Sequence, residues 1–584
     1  MLSFLVPHIY RAFNQRLPVI LSLISRKVIY NAHRVYYLLS KRKSGAGRSF
    51  NTNRIFYRVN YFTYESIIFI LVPLSLSAFT HMWNPTGFPY FHGDEGHYIR
   101  RAMHVLEGLG PQEQRNTTWS FEHPYDHPYF GQLFLAAGLA AIDYPELVHA
   151  KLGEVSSIDT LHLVPRIIMG GLAVADTFLI YKIVERRYSR NIAFISAILF
   201  AVMPMGWLLR RVLLDSILLP FLLSSILFAV RTKPIDNLTH KGSYKKAFEN
   251  TNLLLTVSLS GIFLGFAVFT KISAFVFIPL IFILIYSKAM KTKKNNKLIL
   301  LGIWLLPVIL IPTIWPGYAV LLEQFDEWIH GITWQVDRSP TSIWTFLELF
   351  RIDPILFLTG IAGSIYVGLV RRDILFILWV IPLLIFFSVM GHVRFPYFIP
   401  IIPILCVGTA LTIADLSSKA SNQLARKLLS FGTVLLLSIV GLWTSTVLLL
   451  PNVNSTFFEL YSFVNVHLPS SPEDNSNDDD QNYPSTTLMG SNWMQTFSWV
   501  PNYVFDKEHN FKTFLREKNL PIQDGEKVML LVDKKDLDLF ILSGNSTNTF
   551  KQKDLYNNTK HLATFTGLDS ENPSLHKVEV RTNY

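Results

Sequence analysis

Residues 163–190 read LVPRIIMGGLAVADTFLIYKIVERRYSR. The part 163–184 is nearly all apolar and long enough for a helix to cross a bilayer, which takes about 20 residues. Its basic end, Glu185-Arg186-Arg187-Tyr188-Ser189-Arg190, belongs on the cytoplasmic side. Working upstream, 128–142 is apolar but too short for a comfortable span and reads as interfacial or re-entrant. Before it, 66–82 is a full span whose start is held inside by a basic leader. The end at 185–190 is cytoplasmic only if 128–142 does not cross. Downstream, spans are expected at 191–206, 212–230, 252–269, 272–288, 298–316, 354–370, 373–390, 395–413 and 427–450, about eleven in all. The basic connections 186–190, 231–246, 288–297, Arg371-Arg372 and 419–427 then share one side.

Composition agrees. Of 584 residues 50% are hydrophobic and only 16% charged, with mean hydropathy +0.30. A soluble chain carries about 25% charged residues, so a soluble enzyme, a basic nucleic-acid-binding domain and a disordered scaffold are excluded. The lone Cys406 excludes an internal disulfide framework and a cysteine metal site. The leader has eleven Lys and Arg before Ser66 against one acid, Glu65. Residues 1–65 therefore read as a cytoplasmic arm on anionic lipid, with a mitochondrial-type signal as the rival. The span region is 66–450, with a first external loop at 83–162. An external linker, 451–490, precedes a small external α/β domain, 491–584, with a helix expected at 511–518 and strands at 527–532 and 576–581. Sequons at Asn116, Asn454, Asn545 and Asn557 fall outside the membrane, and Asn237 inside.

The chemistry concentrates in the first external loop. It contains Phe91-His92-Gly93-Asp94-Glu95-Gly96-His97-Tyr98-Ile99-Arg100-Arg101 and later Phe121-Glu122-His123-Pro124-Tyr125-Asp126-His127-Pro128. An isolated Asp-Glu pair is ordinarily a solvated acidic turn. Here aromatics flank it and a polar loop leads from it to the short apolar stretch, so a carboxylate acting as general base toward a hydroxyl is the favoured reading. His92, His97, His123 and His127 match no zinc spacing, so no metal ligands are assigned and no cofactor is required, with a divalent ion as the alternative. Cations also return to the outer face: Arg166, Arg210-Arg211, Lys271 and Arg394. Each alone reads as a snorkelling residue. Together they suggest a shared anion such as a lipid phosphate, with Arg211 also able to pair with Asp215.

The same residues carry a resemblance. Asp94-Glu95-Gly96-His97-Tyr98 resembles the first-loop motif of protein O-mannosyltransferases and aminoarabinose-to-lipid-A transferases, polytopic enzymes of the GT-C fold. Tyr125 to Leu133 is similar to their His-Pro-Pro-Leu-Gly-Lys segment, with Tyr129 at the second Pro. Val164-Pro165-Arg166, Arg211-Val212-Leu213-Leu214-Asp215, the Gly261 to Lys271 run and His392-Val393-Arg394-Phe395-Pro396-Tyr397 are similar to four further motifs in the same order. The resemblance implies transfer of one sugar, with inversion, from a polyprenyl (dolichyl) phosphate. It implies Asp94 as base with Glu95 beside it, and Arg166 near the donor phosphate. Arg211, Lys271 and Arg394 are expected beside that phosphate. His97, Tyr98, His123, Asp126 and His127 are expected to line the substrate loop. The sugar is expected to be mannose and the acceptor a protein Ser or Thr, with a lipid or polysaccharide acceptor as the alternative and a transporter as the rival of another class. The partners are then the bilayer and the two substrates, with no nucleic acid. The expected location is the cell membrane of a prokaryote, an archaeon in preference, over the endoplasmic reticulum.

Overall fold

The computed structural model describes residues 52–91, 93–112, 125–142, 144, 156–232, 243–289, 294–338, 343–468, 486–490, 509–513, 527–534, 537, 554–568 and 575–584. His92, His123 and the sequons at Asn116, Asn237 and Asn545 lie outside these residues. The chain forms two units, Met1–Leu71 and Val72–Tyr584. Helix α1 (Thr52–Met82) begins well before residue 66, so the last residues assigned to the basic arm are helical.

The helices that follow are α2 (Gly93–Leu106), α3 (Phe130–Ala140), α4 (Ser156–Arg187), α5 (Arg190–Val202), α6 (Leu214–Arg231), α7 (Ser243–Thr270), α8 (Ile278–Ala289) and α9 (Lys294–Leu310). Then come α10 (Ile314–Leu321), α11 (Phe325–Asp337), α12 (Glu348–Ile352), α13 (Pro354–Ile365), α14 (Ile374–Met390), α15 (Ile402–Ser418), α16 (Gln423–Leu449) and α17 (Ser455–His467). Each of the eleven expected runs coincides with an apolar helix or a bent helix pair. Among the described residues five helices are long and apolar enough to cross a membrane alone, and seven if each bent pair counts as one. α5 and the 3-10 helix Pro204–Arg210 meet at 68°, where Pro204 ends the first helix by denying it a backbone donor. α3, only eleven residues long, is the short stretch read as non-crossing. The chain is a polytopic α-helical membrane protein.

Glycines set one close helix contact. A Cβ at Gly265 would lie 2.6 Å from the Pro307 carbonyl, and one at Gly261 would collide with that of Trp304. The two are four residues apart, so they share a face of α7 and let α9 press against its backbone. The Gly261–Lys271 motif is thus partly a packing device.

The C-terminal region differs from expectation in two ways. Residues His509–Thr513 form a strand, β2, where a helix was expected over 511–518: a single apolar Phe511 among polar neighbours sets no helical period, and 514–518 lie outside the described residues. The supposed linker contains α17 and strand β1 (Thr486–Gly490). With β3 (Val528–Asp533), β4 (Lys560–Leu568) and β5 (Leu575–Thr582) they build a sheet in the order β2-β1-β3-β5-β4. β1 pairs parallel with β2 and β3, while β5 pairs antiparallel with β3 and β4. All six residues of β3 are buried, as a central strand requires. One apolar core joins this sheet, through Phe457, Tyr461 and Val464 of α17, to Tyr98, Ile99 and Met103 of α2.

Candidate active site

α2 opens on Asp94 and Glu95, acids in the first turn where the helix dipole favours negative charge. The two side chains part company at once. Glu95 is wholly buried (0% exposed) and grips Arg166, also 0% exposed, in a fork: Nη2 donates to Oε1 at 2.9 Å and Nε to Oε2 at 3.0 Å. The Val212 amide donates to Oε2 at 3.0 Å. Arg166 Nη1 donates to the carbonyls of Pro89 at 2.8 Å and Pro85 at 2.9 Å, and the guanidinium lies 4.2 Å from the centre of the Phe91 ring. Arg166, expected beside the donor phosphate, is found in these contacts. Its donors are committed to the segment 85–91 and to Glu95, in a place water does not reach. Burial alone would raise the Glu95 carboxyl, but Arg166, then Arg211 and the Val212 amide, hold it below the usual carboxylate range.

The adjoining side of the first turn is open. Asp94 is partly exposed, and its charge acts on Tyr98, one turn on, and on Asp215. Positions 94, 97, 98 and 101 share a face of α2. Arg101 Nη1 donates to Asp126 Oδ1 at 2.7 Å, and His97 Nε2 lies 3.9 Å from Asp126 Oδ2. Burial would raise Asp126, but Arg101, His127 and Arg338 bring it below its usual value. Burial lowers His127 to about 4 against the partial opposition of Asp126, with Lys271, Arg101 and Arg338 adding to the shift. His97 is pushed well down by burial and by Arg101 and Arg100, so both imidazoles are neutral near pH 7. Burial, then the charges of Asp94 and Asp126, push the Tyr98 hydroxyl well up, and it stays protonated.

Three of the sequence-flagged cations occupy breaks between helices. Arg211, Lys271 and Arg394 all have extended backbones, each next to a short 3-10 helix. Lys271 Nζ donates to Asp215 Oδ2 at 2.6 Å and lies 3.8 Å from the centre of the Tyr397 ring. Asp215 therefore pairs with Lys271, not with Arg211 as its spacing suggested. Arg211 is buried, donates to the Tyr90 carbonyl at 3.3 Å and faces the Trp207 ring at 4.8 Å. Arg394 is exposed. Helix α11 covers the Tyr125–His127 segment: Tyr125 Oη donates to Gln324 Oε1 at 2.6 Å and Gln335 Nε2 donates to the Asp126 carbonyl at 3.2 Å. A Cβ at Gly331 would strike the Tyr125 backbone, so only glycine allows this approach.

The structure thus brings together Asp94, His97, Tyr98, Asp126 and His127, with Lys271 acting on His127. It sets Glu95 and Arg166 behind them as a latch. Arg101, Gln335 and Arg338 were not singled out from sequence. For Arg101 a signal existed, its helical spacing of seven from Asp94; for Gln335 and Arg338, on a distant loop helix, there was none. Among the described residues no group of three or more His, Cys, Asp or Glu could hold a metal ion.

The family model described as dolichyl-phosphate-mannose-protein mannosyltransferase matches residues 156–315. Comparison with curated protein sequences returns no match. Among solved structures the fold is similar to ArnT from Cupriavidus metallidurans in the apo state, at TM-score 0.56 and 13% identity, over 90% of this chain and 98% of that one. The same protein bound to undecaprenyl phosphate gives 0.55 and 12%, over 89% and 98%. The archaeal oligosaccharyltransferase AglB from Archaeoglobus fulgidus gives 0.44 and 13%, over 77% and 65%. The chain has the GT-C fold, and its residues 156–315 are similar to the mannosyltransferase family model.

Proposed function

We propose that the chain is a membrane glycosyltransferase that moves one sugar, mannose in the first instance, from a polyprenyl (dolichyl) phosphate to an acceptor hydroxyl, with inversion at the anomeric carbon. The observation that carries the reading is the division within the acidic pair. Glu95 is locked to Arg166, while Asp94 is left at the partly open end of α2 beside Tyr98 and the Lys271–Asp215 pair. In the proposed step the acceptor oxygen attacks the anomeric carbon and its proton passes to Asp94. The bond from that carbon to the phosphate oxygen breaks, and polyprenyl phosphate leaves with the electron pair. Lys271 and Arg338 supply positive charge where that anion develops, protonated Tyr98 is a hydrogen-bond donor in the same place, and exposed Arg394 attracts the donor phosphate through solvent. The structure of ArnT with undecaprenyl phosphate supports a carrier of this class. The charge asymmetry of the connections supports an active site and C-terminus on the outer face of a prokaryotic membrane, where a protein Ser or Thr is the proposed acceptor.

The test is incubation of purified protein with a panel of polyprenyl-phosphate sugars, offering a Ser/Thr peptide and a lipid acceptor side by side. Transfer of mannose to peptide with inverted configuration is expected. Transfer to the lipid alone would replace the acceptor, and no transfer from any donor would end the reading.

A further inference from the structure

Asn454 reads in the sequence as an external sequon, Asn454-Ser455-Thr456. In the structure it is 0% exposed and its amide is fully engaged. Nδ2 donates to the carbonyls of Thr86 at 2.7 Å and Pro89 at 2.9 Å, and Oδ1 accepts from the Phe91 amide at 3.3 Å. The segment so held is the one that leads into α2 and Asp94. Neighbouring bonds tie the same two stretches together: Val453 donates its amide to the Gly87 carbonyl at 2.9 Å, and Asn84 Nδ2 donates to the Leu449 carbonyl at 3.0 Å. Phe457 packs on Tyr90 and Phe458 on Phe91, with ring centres 5.3 and 5.8 Å apart. The Pro89 carbonyl accepts from both Asn454 and Arg166, so the C-terminal region and the Glu95–Arg166 latch meet on one atom.

We infer that Asn454 is a positioning residue: it fixes residues 86–91, and through them the first turn of α2, so that turnover depends on the docking of α17 and the sheet behind it. This rests on the reading of Asp94 as base. The sequon is then structural, since a glycan on Nδ2 would have no room and would take one of the two N–H donors that hold Thr86 and Pro89. By the same logic Asn557, in an exposed sequon, is free of any such duty.

The experiment uses the full chain in detergent or vesicles. Asn454→Ala should lower kcat about ten- to hundredfold, the scale of a small misplacement of a reacting group. The donor KM should stay within about twofold, because charge at the phosphate is untouched. Asn454→Asp keeps the acceptor for Phe91 but turns a buried carboxylate oxygen toward the Thr86 and Pro89 carbonyls, so it should be no better than Ala. Hydrogen exchange should show faster exchange across residues 86–98 in the Ala variant, with β3 unchanged. Loss of activity that merely follows loss of folded protein, unchanged exchange at 86–98, or a glycan on Asn454 in protein from an N-glycosylating host would overturn the inference. The exchange result stands apart from catalysis. If Asp94→Asn turns over normally, the reading of the site fails while the clamp itself is still judged by exchange.

Discussion

Two carboxylates adjacent in sequence, Asp94 and Glu95, leave the same helical turn about 100° apart and meet opposite environments. Glu95 faces inward to a guanidinium fork and a backbone amide, with no exposed surface. Asp94 faces a partly open region lined by Tyr98, Asp215 and Lys271. The difference teaches that residue type proposes the chemistry and burial disposes of it. A carboxylate in a bidentate buried pair has its lone pairs occupied and gives up its proton affinity. One that is partly exposed is open to an approaching hydroxyl.

The sharpest way to break the comparison is to remove the base and keep its shape. Asp94→Asn should cut turnover by about 10²–10⁴, the usual range for general-base assistance, with the donor still bound. Single-turnover kinetics with a polyprenyl-phosphate sugar measure this. Near-normal turnover would refute the assignment. Chelator that abolishes wild-type activity would instead point to an ion between the carboxylates.

The other side of the turn should respond through stability. Arg166→Ala leaves Glu95 charged and buried without its partner, and breaking such pairs costs about 3–5 kcal/mol. Unfolding in detergent should show this as a large drop in midpoint. Replacing both, with Glu95→Gln and Arg166→Met, should cost less, because no lone charge is left. A stable Arg166→Ala protein with weakened donor binding would restore Arg166 to the phosphate.

Much of the fold was legible before the structure. Runs such as 163–184 and 427–450 exceed bilayer thickness, and a basic residue at one end carries orientation, so pattern alone finds the helices. The Asp94 motif and the cations at 211, 271 and 394 were equally visible. What pattern could not supply was pairing. Lys271 and Asp215 are fifty-six residues apart, and nothing local favours that pair over Arg211, which is one turn from Asp215. Arg166 reads as outward because it opens a span, yet residues 85–91 fold over it. Asn454 is the extreme case: its sequon suggests surface, while its partners lie more than three hundred and sixty residues upstream.

Acid should separate the two sides more gently. His127 is held near 4 and His104 also near 4, chiefly by burial, against the usual 6.5. Below about pH 6.5 the unfolded chain takes up protons that the folded chain refuses, so stability falls as pH drops toward 4. Each histidine contributes at most about 1.4 kcal/mol per pH unit, and less where solvent reaches it. Glu95 and Asp126, held below the usual carboxylate range, contribute stability that is lost only as pH falls through their lowered values. Unfolding midpoints from pH 7 to 4 should therefore decline, and His127→Gln should flatten the decline. A slope unchanged by that substitution would mean His127 does not titrate as its surroundings indicate.

The smallest effect belongs to the most exposed of the three cations at the helix breaks. Arg394 has extended backbone and an exposed side chain three residues before Tyr397, whose ring carries Lys271. Lys271 is tied to Asp215, so its charge is partly neutralised before any donor arrives. Arg394 is more exposed, and an exposed charge acts through solvent, where such contacts are worth about 0.2–1 kcal/mol and fade with salt. Arg394→Ala should raise the donor KM by no more than about fivefold at low ionic strength, and by less as salt is added. Neither kcat nor the unfolding midpoint should move, since the side chain is exposed and makes no buried bond among the described residues. A fall in kcat with KM unchanged would place Arg394 at the transition state and give the electropositive side of the site a different centre. A KM effect that persists in high salt would mean the phosphate is held there by direct, desolvated contact, which exposure alone would not have indicated.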